Sequence, residues 1–206
     1  MSGIVENLYK VQKKDVLKAG EVLADAFQHD PLWNKVFEDE SMLDQKACAF
    51  FESPIRYCLK YGEVYATSKN LEGIATLTPG ELAEMPIWRI IRSGAIKSGI
   101  KAGARILKKS APIFKQLDED RRGNMMSRHF IYLMIFGVST KLQGKGLGGK
   151  LLSSLIEKSK QTGMPLYLET QTEKNVKMYE RFGFMLIKRI NLKGIEIPIW
   201  EMVREP

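Results

Sequence analysis

The sequence predicts a mixed α/β fold: a central, twisted, mixed sheet of about seven strands flanked by helices, with a helical insertion between the third and fourth strands. Three observations predict it. Short runs rich in β-branched and aromatic residues recur along the chain, bounded by Gly, Pro, Asn and Ser. The strongest run, Ile131 to Val138, leads through a polar loop and a glycine cluster into an amphipathic helix, and then to another strand at Pro165 to Thr170. A crossover of that kind is right-handed and makes its two strands parallel. The runs at 63–67 and 71–77, and at 185–191 and 195–203, are separated by a few turn residues and read as antiparallel pairs. Residues 1–206 are expected to form one domain, long enough for a full core.

In chain order, Leu8 to Val11 reads as the first strand. Asp15 reads as an N-cap, followed by a helix whose apolar face is Leu17, Val22, Leu23, Ala26 and Phe27. That helix should stop at His29-Asp30-Pro31, because the residue before proline avoids the helical region. Leu32, Trp33, Val36 and Phe37 continue as a second short helix, with Trp33 and Phe37 expected in the core. Ser41 to Tyr61 is a long amphipathic segment interrupted by Pro54 and ended by Gly62. Glu63 to Thr67 and Leu71 to Leu77 pair around Ser68-Lys69-Asn70, and Pro79-Gly80 closes the hairpin.

Glu81 to Gly123 interleaves Trp88, Ile91, Ile100 and Leu107 with Arg89, Arg92, Lys101 and Lys108. It reads first as a helical insertion with a solvated charged face; a lid over a substrate site and a membrane-surface helix are the other readings. Asp118 to Gly123 reads as a polar loop back to the sheet. His129 to Val138 is the central strand, with a bulge expected near Gly137. The helix 147–161 ends at Thr162-Gly163. A short helix carrying Asn175 and Tyr179 on one face ends at Gly183. Met185 to Asn191 and Ile195 to Val203 close the sheet, with Trp200 and Met202 alternating with Glu201 as on a half-exposed strand.

The chemistry concentrates between Tyr132 and Gly149. A glycine-rich turn between a strand and a helix lets the backbone come close to an anion, with N–H groups and the positive end of the helix dipole aimed at it. Lys145 and Lys150 add charge. Gly144, Gly146 and Gly149 spell the dinucleotide fingerprint G-x-G-x-x-G, but that fold needs several further parallel strands, and few residues remain after Glu169. Gly144, Gly149 and Lys150 spell G-x-x-x-x-G-K, but Leu151 stands where a magnesium-holding Ser or Thr is needed.

Gln143, Gly146 and Gly148 spell [Q/R]-x-x-G-x-[G/A], which resembles the coenzyme A pyrophosphate loop of the GNAT superfamily of N-acyltransferases. Further on, the N-x-x-x-Y-E-R-F-G-F run of residues 175–184 resembles the GNAT segment in which the asparagine contacts the pantetheine arm and the tyrosine lies near the thioester sulfur. The resemblance covers most of the chain, with the insertion its main departure in length. It implies a GNAT fold and transfer of an acetyl group from acetyl coenzyme A to an amine by direct attack on the thioester. It further implies that Gln143, Gly144, Lys145, Gly146, Leu147 and Gly148 hold the diphosphate. Backbone groups of Phe136, Gly137 and Val138, together with Asn175, would meet the pantetheine arm, and the same N–H groups are the candidate oxyanion donors. Tyr179 would return a proton to the leaving thiolate. Glu169, at the end of the fifth strand, is the first choice of general base, with His129 second and a water relay also open. The alternative is a non-catalytic acyl-coenzyme A binding module of the same fold.

The acceptor is expected to be a small-molecule or peptide amine, and a homodimer is compatible with the fold. The net charge of +8 suits a phosphate-bearing cofactor. No nucleic-acid motif accompanies it, so nucleic acid is not an expected partner. No apolar run reaches the roughly 18 residues of a membrane span. The N-terminus lacks the pattern of a signal peptide, and a cytoplasmic location is expected. Cys48 and Cys58 have no metal-ligand spacing, and no metal is expected.

Overall fold

The structure is a computed structural model describing residues 7–38 and 45–206; the expected start of the third helix at Ser41 lies outside the described residues. The strands are β1 Tyr9–Lys10, β2 Glu63–Ala66, β3 Gly73–Pro79, β4 Ile131–Val138, β5 Leu166–Thr170, β6 Met185–Asn191 and β7 Pro198–Arg204. The helices are α1 Val16–Ala26, α2 Pro31–Val36, α3 Gln45–Tyr61, α4 Ile87–Ser93, α5 Ala95–Ala102, α6 Ala104–Met125, α7 Leu147–Thr162 and α8 Glu173–Arg181. The strands form a seven-stranded sheet in the order β1-β2-β3-β4-β5-β7-β6. Every neighbouring pair is antiparallel except β4 and β5, which are parallel as the crossover through α7 requires.

Helices cover both faces of the sheet. On one face Leu151, Leu152 and Leu155 of α7 and Val176 and Tyr179 of α8 pack on Leu133, Leu166, Leu168 and Met202. The other face is covered by α1, α3 and α6, with Trp33 and Phe37 in the core, as expected, against Phe50 and Phe51. This double cover corrects one expectation. Trp200, Glu201 and Met202 are all buried, because β7 lies inside the sheet between β5 and β6.

The parallel contact is short. β4 pairs with β5 only at Ile131 with Leu166 and Tyr132 with Tyr167. β4 nevertheless continues against β3 to Val138, and β5 against β7 to Thr170. The two strands therefore part past Tyr132 and Tyr167, and the sheet opens into a wedge. The backbone groups of β4 that a parallel neighbour would bond face this gap.

Other expectations shift for identifiable reasons. The bulge of β4 falls at Met134, between the residues paired with Thr76 and Leu77, not at Gly137. Gly137 pairs regularly with Ile74, and its missing side chain serves packing instead: a Cβ there would lie 2.9 Å from Ala26 Cβ of α1. Asp15 does not cap α1. Its carboxylate accepts from the Tyr9 hydroxyl at 2.8 Å and from Gln12 N at 2.9 Å, closing the turn before the helix. Asp30 is the cap that forms, accepting from Leu32 N and Trp33 N at the start of α2.

The insertion departs most from expectation. Asp118 to Gly123 is the last part of α6, not a loop. Its charged residues, which suggested solvent, meet charged partners on the sheet. Ile113 and Leu117 of α6 join the core, and Gln116 bonds both Asn191 O and Lys193 N, each at 3.0 Å, so α6 roofs the β5–β7–β6 end of the sheet. α4 and α5, by contrast, leave Ile87, Trp88, Ile91 and Ile100 exposed.

α1 also ties down the segment that follows β4. Asp25 accepts from Ser139 Oγ at 2.7 Å, Thr140 N at 2.8 Å and Thr140 Oγ1 at 2.7 Å. Burial works to raise the Asp25 carboxyl, but these donors together hold it below its ordinary value. Replacing Asp25 with Ala should cost about 2 kcal/mol in denaturant unfolding, since hydrogen bonds to a charged acceptor are the stronger kind. An unchanged unfolding midpoint would show that the anchor contributes nothing.

Candidate active site

Beyond Val138 the chain makes a short helical turn, Thr140–Leu142, and then the glycine loop. Gln143 folds back, its Nε2 donating to Val138 O at 3.0 Å, and pins the loop to the end of the strand. Gly144 and Gly146 have φ of +77° and +80°, a region L side chains rarely adopt, so these two glycines are required by the turn itself. Gly146 is the N-cap of α7 and offers no side-chain acceptor, so the first N–H groups of a sixteen-residue helix are left for an external partner. Gly148 sits over Phe136 and Val138 without crowding: a Cβ there would meet nothing nearer than 3.6 Å. Residues Gln143 to Gly146 are exposed, as are Lys145 and Lys150. An open, basic helix start beside a gap between strands fits the diphosphate of a nucleotide-like cofactor.

α8 stands on the same face of the sheet. Thr172 caps it, accepting from Asn175 N at 3.2 Å, which fixes the first turn and places half-buried Asn175 one turn before Tyr179. The Tyr179 ring lies 6.4 Å from that of Phe136 across the wedge and 5.4 Å from that of Phe184. Burial raises the Tyr179 phenol well above its ordinary value, so it stays protonated at neutral pH. The expected cofactor residues Phe136, Gly137, Val138, Gln143, Gly144, Lys145, Gly146, Leu147 and Gly148 thus run along the end of β4 and into α7, with Tyr179 of α8 beside Phe136 and Asn175 one turn before it.

Glu169 is placed differently. It lies on β5 on the opposite face of the sheet, where Arg121 of α6 donates to it at 2.9 Å and the Tyr132 hydroxyl at 2.6 Å. A carboxylate held by a guanidinium and a phenol is not a free proton acceptor, and this is the physical objection to it as general base. His129 precedes β4, is exposed, and lines a surface recess beyond the paired end of β4 and β5. Among the described residues no group of His, Cys, Asp and Glu could hold a metal ion, and no helix is long and apolar enough to cross a membrane.

The acetyltransferase (GNAT) family model matches residues 113–184, which span the second half of α6, the β4–loop–α7 unit, β5 and α8. Over these residues the chain is similar to the acetyltransferase (GNAT) family. An uncharacterised N-acetyltransferase of Schizosaccharomyces pombe is 29% identical over 213 residues, covering 96% of this chain and 82% of the relative. Among solved structures, the histone acetyltransferase HPA2 and related acetyltransferase from Corynebacterium glutamicum superposes with a TM-score of 0.65 at 21% identity, covering 97% of this chain and 96% of that one. Arylalkylamine N-acetyltransferase 2 from Aedes aegypti also gives 0.65, at 17% identity over 96% of this chain and 97% of that one. At these identities the structural matches show the fold, and the expected GNAT architecture is the observed one.

Within this GNAT fold, one cluster escaped the sequence reading. Arg121 sits between Asp118 and Glu169 and stacks 4.2 Å from the Tyr132 ring centre; Glu201 on β7 pairs in register with Glu169 and accepts from Asn124 of α6. The available signal was a carboxylate inside each of two apolar runs, LYLET and PIWEMVR. Burial, then the Glu169 carboxylate, push Glu201 up to about 7, and burial pushes Asp118 up to about 6 despite Arg121. Both groups hold protons in the folded chain at pH values where the unfolded chain has released them. Folding stability should therefore fall as pH rises through the window from about 4 to 7, and level off above it. Glu201→Gln should flatten that fall in thermal unfolding; an unaltered slope would place the effect elsewhere.

Proposed function

We propose that this chain is an acetyl-coenzyme A dependent N-acetyltransferase in which the amine attacks the thioester directly. The observation that carries the reading is the wedge between β4 and β5, flanked by the glycine loop at one end and Tyr179 on its wall. The bound cofactor supplies an acetyl group activated as a thioester. The chain's own residues bind and orient it: N–H groups from Gly146 to Gly148 and the α7 dipole take the diphosphate, with Lys145 adding charge and Gln143 bracing the turn. Unpaired backbone groups of Phe136 to Val138 align the pantetheine arm along β4, and Asn175 meets it from α8. An N–H of this stretch stabilises negative charge on the carbonyl oxygen during attack. Holding amine and carbonyl together removes the entropy of their encounter. The Tyr179 phenol, protonated at neutral pH, donates to the departing sulfur, while the proton lost by the attacking amine passes to water, which in turn reprotonates the phenol.

Both solved relatives bear acetyltransferase names, and the mosquito protein is named for arylalkylamines, so a small amine is a natural first acceptor class to test. Calorimetry should show saturable coenzyme A binding. Gly146→Ala forces a side chain into left-handed backbone at about 1 kcal/mol and should weaken that binding several-fold while the chain stays folded. No heat on adding coenzyme A to the unaltered chain would overturn the reading. Tyr179→Phe should lower kcat about tenfold or more with little change in KM for acetyl coenzyme A, because only the proton donor is lost. A Phe variant with full kcat would move the proton donor elsewhere.

A further inference from the structure

Under α6 the sheet carries a buried network with more negative than positive charge. Asp118 and Asp120 on α6, Glu169 on β5 and Glu201 on β7 supply four carboxylates. Two cations are bonded to them: Arg121 to Asp118 and Glu169, and Lys188 of β6 to Asp120. Glu201 makes no ion pair among the described residues; Lys188 lies opposite it in register, but its ammonium bonds Asp120. Its Oε2 accepts from Asn124 Nδ2, while Oε1 is buried with no hydrogen-bond partner among the described residues. The Tyr167 hydroxyl is also buried and unpartnered. Register puts Tyr167 and Glu201 diagonally across the β5–β7 pair on one face, near enough that the Glu201 charge raises the Tyr167 phenol. Buried carboxylates without partners are costly, and folded interiors leave few polar groups unsatisfied. A bare carboxylate oxygen and a bare hydroxyl in a negative field are complementary to a small cationic hydrogen-bond donor.

We propose that Glu201 and Tyr167, backed by Glu169, form the subsite for the ammonium group of a small alkylamine acceptor, with the Arg121 turn of α6 as its door. The proposal takes from the acetyltransferase reading only the reason an amine comes here. A recess of about 310 Å³ lies on the outer side of Arg121; its charged lining is mixed, with Glu84 and Asp118 beside Arg121, Arg122 and Arg128, and Glu201 and Tyr167 lie behind Arg121 rather than on its wall. The other side of that guanidinium touches Glu169 and the Tyr132 ring. Tyr132 belongs to the last rung joining β4 to β5, so a swing of Arg121 is the movement the proposal requires to join the recess to the apex of the wedge. The guanidinium thus holds, beside Glu169, the place of a positive charge that the substrate brings. A recess of this size takes a small molecule, not a folded polypeptide.

Glu201 is faced by Glu169 and Tyr167 from β5, by Asp120 and Asn124 from α6, and by Lys188 from β6. Its carboxyl, at about 7, must ionise to hold an ammonium, so amine affinity should fall as pH drops below that value.

The test is calorimetry on the full chain without acetyl coenzyme A, using phenethylamine and butylamine, with phenethyl alcohol as the uncharged control. The amines should bind at about pH 8, bind roughly tenfold more weakly at about pH 6, and outcompete the alcohol. Glu201→Gln should weaken amine binding by about tenfold or more, and isosteric Tyr167→Phe by several-fold, with coenzyme A affinity unchanged in both. If circular dichroism shows that Glu201→Gln does not fold, Tyr167→Phe decides. Unchanged amine affinity in the variants, alcohol bound as well as amine, or a short peptide preferred over both amines would each overturn the proposal. Amine binding without coenzyme A binding would instead overturn the acetyltransferase reading and leave this subsite standing.

Discussion

The early parting of β4 from β5 is the constraint on which the rest depends. Two parallel rungs are enough to fix the direction and spacing of the strands. Beyond them each strand is held by its other neighbour, β4 by β3 and β5 by β7, so the gap needs no support from its own walls. A buried gap in a sheet is normally costly, because unpaired backbone N–H and C=O groups lose water without gaining a partner. Here the bulge at Met134 re-aims the strand just past the last rung, and the gap opens toward the glycine loop. The cost of an open sheet becomes the binding capacity of the site.

The two faces of the wedge are built from opposite chemistry. On the α7–α8 face the lining is apolar and aromatic, with a phenol that burial keeps protonated. On the α6 face it is charged, with Tyr132, Glu169, Arg121 and Glu201 locked together under a helix. On the proposed reading, an extended thioester suits the first face and a cation suits the second. Pairing within the charged face also explains why α6 can lie over the sheet at all: carboxylates inside β5 and β7 would be prohibitive beneath an apolar helix.

What the sequence disclosed followed from local rules. All seven strands, the crossover helix with its glycine start, and the helix carrying Asn175 and Tyr179 were legible from periodicity and turn chemistry, within two or three residues at the strand ends. What it hid was tertiary. Asp118 to Gly123 looked like a loop because charge usually means solvent, yet Arg121 is among the most buried residues of α6. Glu201 looked like the wet side of a half-exposed strand, because alternation cannot reveal that a later strand will lie between two others with helices on both faces. Gly137 looked like a bulge, although its role is to let Ala26 approach. In each case the partner that explains the residue lies far away in the chain.

That pattern bears on how the site is held. The cofactor strip is assembled from contiguous sequence, Phe136 to Gly148, and its outside brace is Asp25 of α1, which bonds Ser139 and Thr140. α1 also supplies Ala26 and Leu23 against Gly137, so one helix fixes both the end of β4 and the start of the loop. The α6 face has no such local frame: Tyr167, Glu169 and Glu201 are set by the β5–β7 ladder, and Arg121 joins them from a third element through its ion pair with Glu169. A frame of hydrogen bonds within one segment keeps its geometry through a reaction cycle, whereas a set of ion pairs across elements can exchange partners when another cation arrives. Rigidity on the cofactor side and exchange on the acceptor side follow from where in the chain each set of residues resides.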